Sequence, residues 1–366
     1  MKGSRALGLA LLAGLALSAA PAAAASAPGA PRPYTIRDQA RLRRLSDPVP
    51  SPDGKAVVFT LRSTDYAANR GRSDVYIAGV DGSGLKALTT HAENDSEPQW
   101  SPDGRTVYFV SSREERAAIY RVPAGGGKEE LVFRASVAIE AFKLAPDGKT
   151  FVFAAATFPD CDTLECTAQR LTQRGKTKAT GQLYDKLFVR HWDTWKDGRR
   201  SHLFAVPVTG GAPVDLMKGM DVDAPVMPHP SRADFTVSPD GKTVVFSARE
   251  GGKNEAWSTN VDLFAVGIDG RSAPRNLTKA NLATDTHPVF SPDGKTLVYL
   301  AMSRPMYEAD RFRVMVRPFP DGDAKELAPG WDRSPHTLAF TRDGKGLLAT
   351  ADDIGQRRIF SLDLAS

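Results

Sequence analysis

The chain has 366 residues, of which 41% are hydrophobic and 25% charged, with 31 Gly and 26 Pro. This length and apolar content can bury a large core, and the abundance of Gly and Pro favours an all-β chain with many turns. The 48 basic and 43 acidic residues are interleaved and give a formal charge of only +5, which argues against a nucleic-acid-binding surface.

Residues 1–25 have the features of a secretory signal peptide. Lys2 and Arg5 precede an apolar stretch at residues 6–17, and the small residues at 22–27 offer several cleavage sites. The apolar stretch is too short to span a bilayer comfortably. We therefore expect a periplasmic or secreted protein that leaves the membrane after signal cleavage; a retained membrane anchor is the alternative.

A turn motif recurs along the rest of the chain. It first occurs as Ser51-Pro52-Asp53-Gly54-Lys55 and returns at residues 101, 145, 238, 291 and, in eroded form, 341. Pro presets φ, Asp bonds its own backbone and Gly supplies a left-handed residue, so the motif predicts a hairpin turn. Alternating segments of strand length surround each turn and complete four antiparallel strands per unit. Four strands repeated about every 50 residues are typical of a β-propeller blade.

The repeat suggests how the chain is organised. We expect an N-terminal segment at residues 26–50, with one or two helical turns at 35–45, and an all-β propeller of four-stranded blades at 51–366. Six units are visible, and the sixth ends without a closing strand. Because a propeller closes on itself to remove its sheet edges, we expect seven blades in the full protein, of which this chain would be a fragment.

The third unit contains an insertion at residues 159–201 between its second and third strands. It holds the two cysteines of the chain, Cys161 and Cys166. In an exported protein, so short a spacing favours a disulfide. Half of a metal site is the alternative, but no histidine is near the two cysteines, and we expect neither a metal nor a cofactor.

Strand alternation puts the long loops on one face of the propeller. The loops between the second and third strands of each unit emerge together, opposite the tight glycine turns. They include the insertion and the long loops at residues 249–260 and 303–311. Long connections on a rigid scaffold often carry binding sites.

Two runs on these loops carry a family resemblance. Residues 184–195 (YDKLFVRHWDTW) and 255–260 (EAWSTN), together with the strings at 98–104 (PQWSPDG) and 109–113 (FVSSR), resemble the N-terminal β-propeller of the prolyl oligopeptidase family of serine peptidases. The resemblance is strongest to its dipeptidyl peptidase 5 and acylaminoacyl-peptidase branch. It covers residues 35–366, and the turn repeat itself is shared with PD40 or TolB-like propellers.

The resemblance implies a function for the long-loop face. It implies a C-terminal α/β-hydrolase domain with a Ser-Asp-His triad, which is absent from this chain, and release of dipeptides or acylated residues from peptide N-termini. The propeller would restrict access to short peptides, and a homodimer is possible. No Gly-x-Ser-x-Gly sequence occurs here. We therefore assign no catalytic residue and expect the chain alone to be inactive.

Candidate substrate-binding residues follow from this function. A free peptide α-amino group is cationic at neutral pH and needs a carboxylate or carbonyls beside an aromatic wall. We expect Glu255, Trp257 and Asn260 to supply these groups on one loop. The opposite wall would come from the insertion: Arg190, Trp192 and Trp195. The alternative is that Glu255 pairs with Lys253 or Arg249 and the tryptophans are packing anchors.

Two other functions compete with the exopeptidase hypothesis. A stand-alone, non-enzymatic periplasmic TolB-like propeller that binds proteins or a cell-envelope ligand would explain the turn repeat equally well. A propeller enzyme with its site in the central channel would need clustered carboxylates or histidines on the innermost strands, and we expect those strands to be apolar.

Overall fold

The computed structural model describes residues 32–113 and 116–364, so the proposed signal peptide at residues 1–25 lies outside the described residues. The chain divides into two units between residues 42 and 43. The described part of the first unit contains helix α1 (Ile36–Arg41). Thr35 and Asp38 form a reciprocal capping box at its N-terminus. No helix in the described ranges is long and apolar enough to cross a membrane.

The second unit is the predicted β-propeller. Apart from a two-stranded hairpin in the insertion, β11 (Arg190–His191) and β12 (Thr194–Trp195), its strands form six consecutive antiparallel sheets, of which the first five have four strands and the sixth has three in the described residues. The blades are, in chain order, β1 (Arg44–Pro50), β2 (Ala56–Asp65), β3 (Arg70–Gly79) and β4 (Lys86–Ala87); β5 (Asp95–Trp100), β6 (Thr106–Ser111), β7 (Ala118–Pro123) and β8 (Glu130–Phe133); β9 (Ala141–Leu144), β10 (Thr150–Thr157), β13 (Arg200–Pro207) and β14 (Val214–Asp215); β15 (Phe235–Val237), β16 (Thr243–Ala248), β17 (Asp262–Gly267) and β18 (Arg275–Asn276); β19 (Asp285–Phe290), β20 (Thr296–Ala301), β21 (Arg313–Pro318) and β22 (Lys325–Leu327); and β23 (Pro335–Phe340), β24 (Gly346–Asp353) and β25 (Gln356–Asp363). The all-β fold class is therefore confirmed.

Four of the repeated turns, those that begin with serine, close the first hairpin of their blade with the same hydrogen bonds. The Ser51 hydroxyl donates to the Asp53 carboxylate at 2.6 Å and accepts from the Ala56 backbone N–H at 2.9 Å. The same bonds form at the turns that begin with Ser101, Ser238 and Ser291. Ser and Asp recur because together they satisfy backbone and side-chain polar groups at a partly buried turn.

Successive turns also pack on each other, with the proline of one turn against the glycine of the next. Gly54 and Gly148 both have positive φ, 73° and 72°. A Cβ added at Gly54 would meet no atom within 4 Å, whereas at Gly148 it would lie 2.9 Å from Pro102. The two glycines therefore separate the effect of backbone conformation from that of packing between blades.

We expect Gly148→Ala to destabilise the propeller more than Gly54→Ala. The left-handed backbone alone costs about 1 kcal/mol for an alanine, and the steric overlap with Pro102 adds about 1 to 3 kcal/mol. Urea denaturation of both variants measures this difference. Equal losses in the free energy of unfolding would contradict the packing of one turn on the next.

The innermost strands are not apolar, and that expectation was wrong. They carry charged or polar side chains: Asp47 on β1, Glu97 on β5, Lys143 on β9 and His287 on β19. In β1, β5 and β19 the pairing register shifts at these positions, and Asp47, Glu97 and His287 have φ between 51° and 57°. A bulge rotates the affected side chain out of strict alternation. The alternation of residues in the sequence therefore does not show which side chains the innermost strands present.

Lys143 on β9 contacts Phe235 at the start of β15. Its Nζ donates to the Phe235 carbonyl at 2.6 Å and lies 5.0 Å from the centre of the Phe235 ring. Burial lowers the pKa of Lys143 to about 8, with a smaller contribution from the nearby Arg232 guanidinium. Arg232, which lies just before β15 of blade 4, in turn pairs with Asp47 on β1 of blade 1. This ion pair connects the two blades.

Asp285, at the start of β19, makes the stability of the fold depend on pH. It is 1% exposed, its Oδ1 accepts from the Asn281 side chain at 2.9 Å, and its Oδ2 has no hydrogen-bond partner in the structure. Burial raises the pKa of Asp285 to about 7. The unfolded value is about 4, so the folded state holds this proton more tightly.

We expect Asp285→Asn to remove part of this pH dependence. The stability that protonated Asp285 contributes is complete below about pH 4 and is lost as the pH rises through about 7. The Tm of the variant relative to the wild type should therefore increase between pH 5 and pH 8. A difference in Tm that stays constant across this range would contradict a raised pKa at Asp285.

Candidate functional site

The insertion of blade 3 is an ordered structure fixed to the blade. It contains helix α2 (Leu164–Gly175) and a hairpin of β11 (Arg190–His191) and β12 (Thr194–Trp195). Cys161 and Cys166 are joined by a disulfide with an S–S distance of 2.02 Å. The hydroxyls of Thr167 and Thr157 hydrogen-bond each other at 2.8 Å, which ties α2 to β10. Strands β10 and β13 stay paired from Thr150 to Thr157, so the insertion leaves the blade intact.

Arg200, the first residue of β13, binds three carboxylates at the base of the insertion. Its Nε donates to Asp221 at 2.7 Å and its Nη1 to Asp223 at 2.8 Å. Its Nη1 and Nη2 donate to the two oxygens of Glu255 at 3.0 and 2.6 Å. The side chain of Arg200 is only 5% exposed, so these are charge-assisted bonds in a site with little water. We call Arg200, Asp221, Asp223 and Glu255 the Arg200 cluster.

The loop between β16 and β17 turns Glu255 inward. The loop forms a 3₁₀-helix, Gly252–Trp257, in which Glu255 is buried. A Cβ on Gly251 would lie 2.7 Å from the Glu255 Cα, so only glycine allows this close approach. The partners of Glu255 are thus Arg200 and Lys196, and neither Lys253 nor Arg249 takes that place.

Two lysines balance the charge of the Arg200 cluster. The Nζ of Lys196 lies 3.4 Å from Glu255 Oε1 and 3.6 Å from Asp223 Oδ2, and the Nζ of Lys186 lies 2.5 Å from Asp221. Burial opposes the charge of Glu255, but its hydrogen bonds and attraction to Arg200 and Lys196 outweigh burial and lower its pKa. Burial likewise opposes the charge of Arg200, and its bonds to Glu255 and the charge of Asp223 more than compensate and raise its pKa. Glu255 is therefore ionised at neutral pH.

A cavity of about 500 Å³ opens beside this cluster. Its walls are mostly insertion residues between 177 and 200, including Tyr184, Lys186 and Lys196, and they are completed by Asp221 and Glu255. Ligand pockets of small molecules have about 300 to 1,000 Å³. The cavity therefore has the size for the first residues of a peptide, with a carboxylate in its wall.

Of the six predicted binding residues, only Glu255 lines this cavity. Trp195 and Arg190 lie next to it, since the Trp195 ring is 6.0 Å from that of Tyr184 and the Arg190 guanidinium is 5.6 Å from the Trp195 ring. The Trp192 ring contacts the His191 ring at a tilt of 43°, with 4.5 Å between ring centres, and Trp192 remains 74% exposed.

The other two predicted residues, Trp257 at the end of the 3₁₀-helix and Asn260 after it, do not line the cavity. Trp257 is 60% exposed. The amide nitrogen of Asn260, oriented to satisfy its neighbours, donates to the carbonyls of Asn281 and Ala283 at 3.1 and 3.0 Å. Asn260 thus fastens its loop to the segment that enters blade 5, and its amide is not directed at the cavity.

Sequence reasoning missed Arg200, Lys196, Asp221 and Asp223. A signal was present in Asp221-Val222-Asp223, where two carboxylates flank a valine that is buried in the core. This sequence lies in the segment that joins blades 3 and 4. It does not indicate which basic residue pairs with the two carboxylates. In the described residues, no group of three or more His, Cys, Asp and Glu side chains could hold a metal ion.

Comparisons with known proteins agree with this fold. Residues 43–184 match the PD40 family, described as a TolB β-propeller domain. The chain is 28% identical over 337 residues to dipeptidyl-peptidase 5 of Porphyromonas gingivalis, covering 88% of this chain and 47% of that protein. It is 29% identical over 272 residues to dipeptidyl-peptidase 5 of Porphyromonas endodontalis, covering 73% of this chain and 38% of that protein.

A solved structure shows the same architecture. An acylaminoacyl peptidase in complex with Z-Gly-Gly-Phe-chloromethyl ketone superimposes with a TM-score of 0.66 and 13% identity, covering 90% of this chain and 46% of that one. The chain spans about half the length of the curated relatives it matches. The chain thus matches the PD40 model over residues 43–184, is similar to proteins named dipeptidyl-peptidase 5, and shares its fold with the propeller of acylaminoacyl peptidases.

Proposed function

We propose that this chain is the substrate-gating propeller of a secreted or periplasmic serine exopeptidase that releases dipeptides, or acylated residues, from peptide N-termini. The observation that carries this proposal is the 28% identity to a dipeptidyl-peptidase 5 over 88% of the chain. The chain covers 47% of that relative, so the catalytic α/β-hydrolase domain would lie in the remaining part of the protein. That domain and the peptide substrate are the partners we propose.

The cavity beside the Arg200 cluster supplies the chemistry that an aminopeptidase of this type needs. The α-ammonium group of a peptide is a compact cation, and the ionised carboxylate of Glu255 is part of the cavity wall. Enclosure of the carboxylate strengthens its attraction to a cation relative to the same pair in water. We assign recognition of the free amino terminus to Glu255, and contact with the peptide chain to Tyr184 and the neighbouring Trp195 and Arg190.

An activity assay on the whole protein tests this function. Purified from its source, the protein should release fluorescent amine from Gly-Phe-aminomethylcoumarin and be inactivated by a serine-reactive fluorophosphonate. A protein that consists of the propeller alone and hydrolyses neither free nor acylated substrates would instead support the TolB-like binding function. The PD40 match by itself is compatible with that alternative, and the similarity to dipeptidyl-peptidase 5 makes the peptidase function the better supported one.

A further inference from the structure

The two cations that meet Glu255 are held very differently. Arg200 makes four hydrogen bonds of 2.6 to 3.0 Å to the carboxylates and is 5% exposed. Lys196 lies 3.4 and 3.6 Å from its two carboxylates and is 30% exposed. Charge-assisted N–H···O bonds are normally about 2.7 to 2.9 Å long. Arg200 is thus a fixed part of the wall, and Lys196 is a loosely held counter-ion.

The backbone of Lys196 is fixed even though its ammonium group is not. Its N–H donates to the Val189 carbonyl at 3.0 Å, and its carbonyl accepts from the Tyr184 hydroxyl at 3.0 Å. These bonds place Cα at the edge of the cavity next to β12. The four-carbon side chain can therefore move its charge between the carboxylates and solvent without any change in the fold.

The Arg200 cluster needs one more cation at this position. Its three carboxylates exceed the single charge of Arg200 by two, and Lys186 compensates Asp221 on the other side. Without Lys196, Glu255 in the cavity wall and Asp223 next to Arg200 would share an uncompensated negative charge, which is costly for groups that are 10% exposed. A primary ammonium group from a ligand would satisfy the same two oxygens.

We propose that Lys196 is an internal stand-in for the substrate's α-ammonium group, and that a peptide with a free amino terminus displaces it from Glu255 and Asp223. This inference rests on the proposed function and adds Asp223 as the second carboxylate of the amine site. Lys196 keeps the paired carboxylates neutralised while the cavity is empty. It also lowers the apparent affinity for every amine, because the peptide binds only the fraction of molecules in which Lys196 has swung away.

Calorimetry with two matched peptides tests the proposal. The probes are Gly-Phe amide, which carries a free amino group, and N-acetyl-Gly-Phe amide, which does not. Lys196→Met removes the competing charge and keeps the length of the side chain, so Kd for Gly-Phe amide should fall by about tenfold, with no gain for the acetylated peptide. Lys218→Met is the control, because Lys218 is an exposed lysine paired with Asp162 outside the cavity.

The outcomes separate this inference from the proposed function. If the wild-type chain prefers Gly-Phe amide and Lys196→Met binds it no better or more weakly, Lys196 is not a competitor and the inference fails alone. If the wild-type chain does not distinguish the two peptides, the amine site and the proposed function fail together. Lys196→Gln provides a second uncharged variant should Lys196→Met unfold, and the Tm of each variant shows which of them is folded.

Discussion

Arg200→Met is expected to lower the free energy of unfolding by about 3 to 5 kcal/mol, which is a large loss for a single substitution. The substitution leaves Asp221, Asp223 and Glu255 without the guanidinium that now binds all three. Two of these carboxylates are 10% exposed, so water cannot replace the lost bonds fully. The substitution also removes the ion pair between Arg200 at the start of β13 and Glu255 on the loop between β16 and β17, which connects blade 3 to blade 4.

Urea denaturation measures this loss, and Arg121→Met is its control. Arg121 pairs with Glu130 at 2.8 Å, but both side chains are about half exposed, so its substitution should cost less than about 1 kcal/mol. Adding Glu255→Gln and Asp223→Asn to Arg200→Met should recover part of the stability, because fewer buried charges remain unpaired. Similar losses for Arg200→Met and Arg121→Met would show that the Arg200 cluster is solvated and does not hold the two blades together.

Glu255→Gln is expected to change substrate selection in the whole protein. Loss of a charged partner for the α-ammonium group should raise KM for dipeptidyl substrates by about 10- to 100-fold. Acyl-blocked substrates carry no such charge and should change by about twofold or less. Because the pKa of Glu255 is lowered, its carboxylate stays ionised well below neutral pH. The effect should therefore be constant between about pH 5.5 and 6.5, and it should weaken towards pH 8 as the α-amino group of the substrate, with a pKa of about 7.7 to 8.0, loses its proton.

Glu250→Gln is the matched control for this measurement. Glu250 lies on the same loop, is exposed and does not line the cavity. It should leave KM unchanged for both substrate types. Equal effects of Glu255→Gln on free and blocked substrates, or no effect at all, would remove Glu255 from amine recognition.

The fold was predictable because its signals are local. The turn residues and the strands on either side lie within a few residues of each other, and Ser51, Asp53 and Gly54 each have one conformational role that recurs in other blades. The insertion could be located because it interrupts the spacing of that repeat. The bulges at Asp47, Glu97 and His287 could not be predicted, since alternation of side chains is the very rule that a bulge breaks.

The candidate site was only partly predictable because its residues are far apart along the chain. Glu255 could be selected because it stands beside aromatic residues on a long loop. Its partner Arg200 is 55 residues away and reaches Asp221 and Asp223 from another strand. Which charges meet is decided by how blades 3 and 4 pack, and Asn260, chosen for its position next to Trp257, is used instead to hold its own loop.

A crystal structure of the chain with Gly-Phe amide bound tests the central claim most directly. We predict that the peptide occupies the cavity between the insertion and the loop of blade 4, with its amino nitrogen about 3 Å from a carboxylate oxygen of Glu255 or Asp223. The Nζ of Lys196 should have moved away from both. A peptide bound elsewhere on the propeller, or one whose amino group faces solvent while Lys196 stays on Glu255, would contradict the claim.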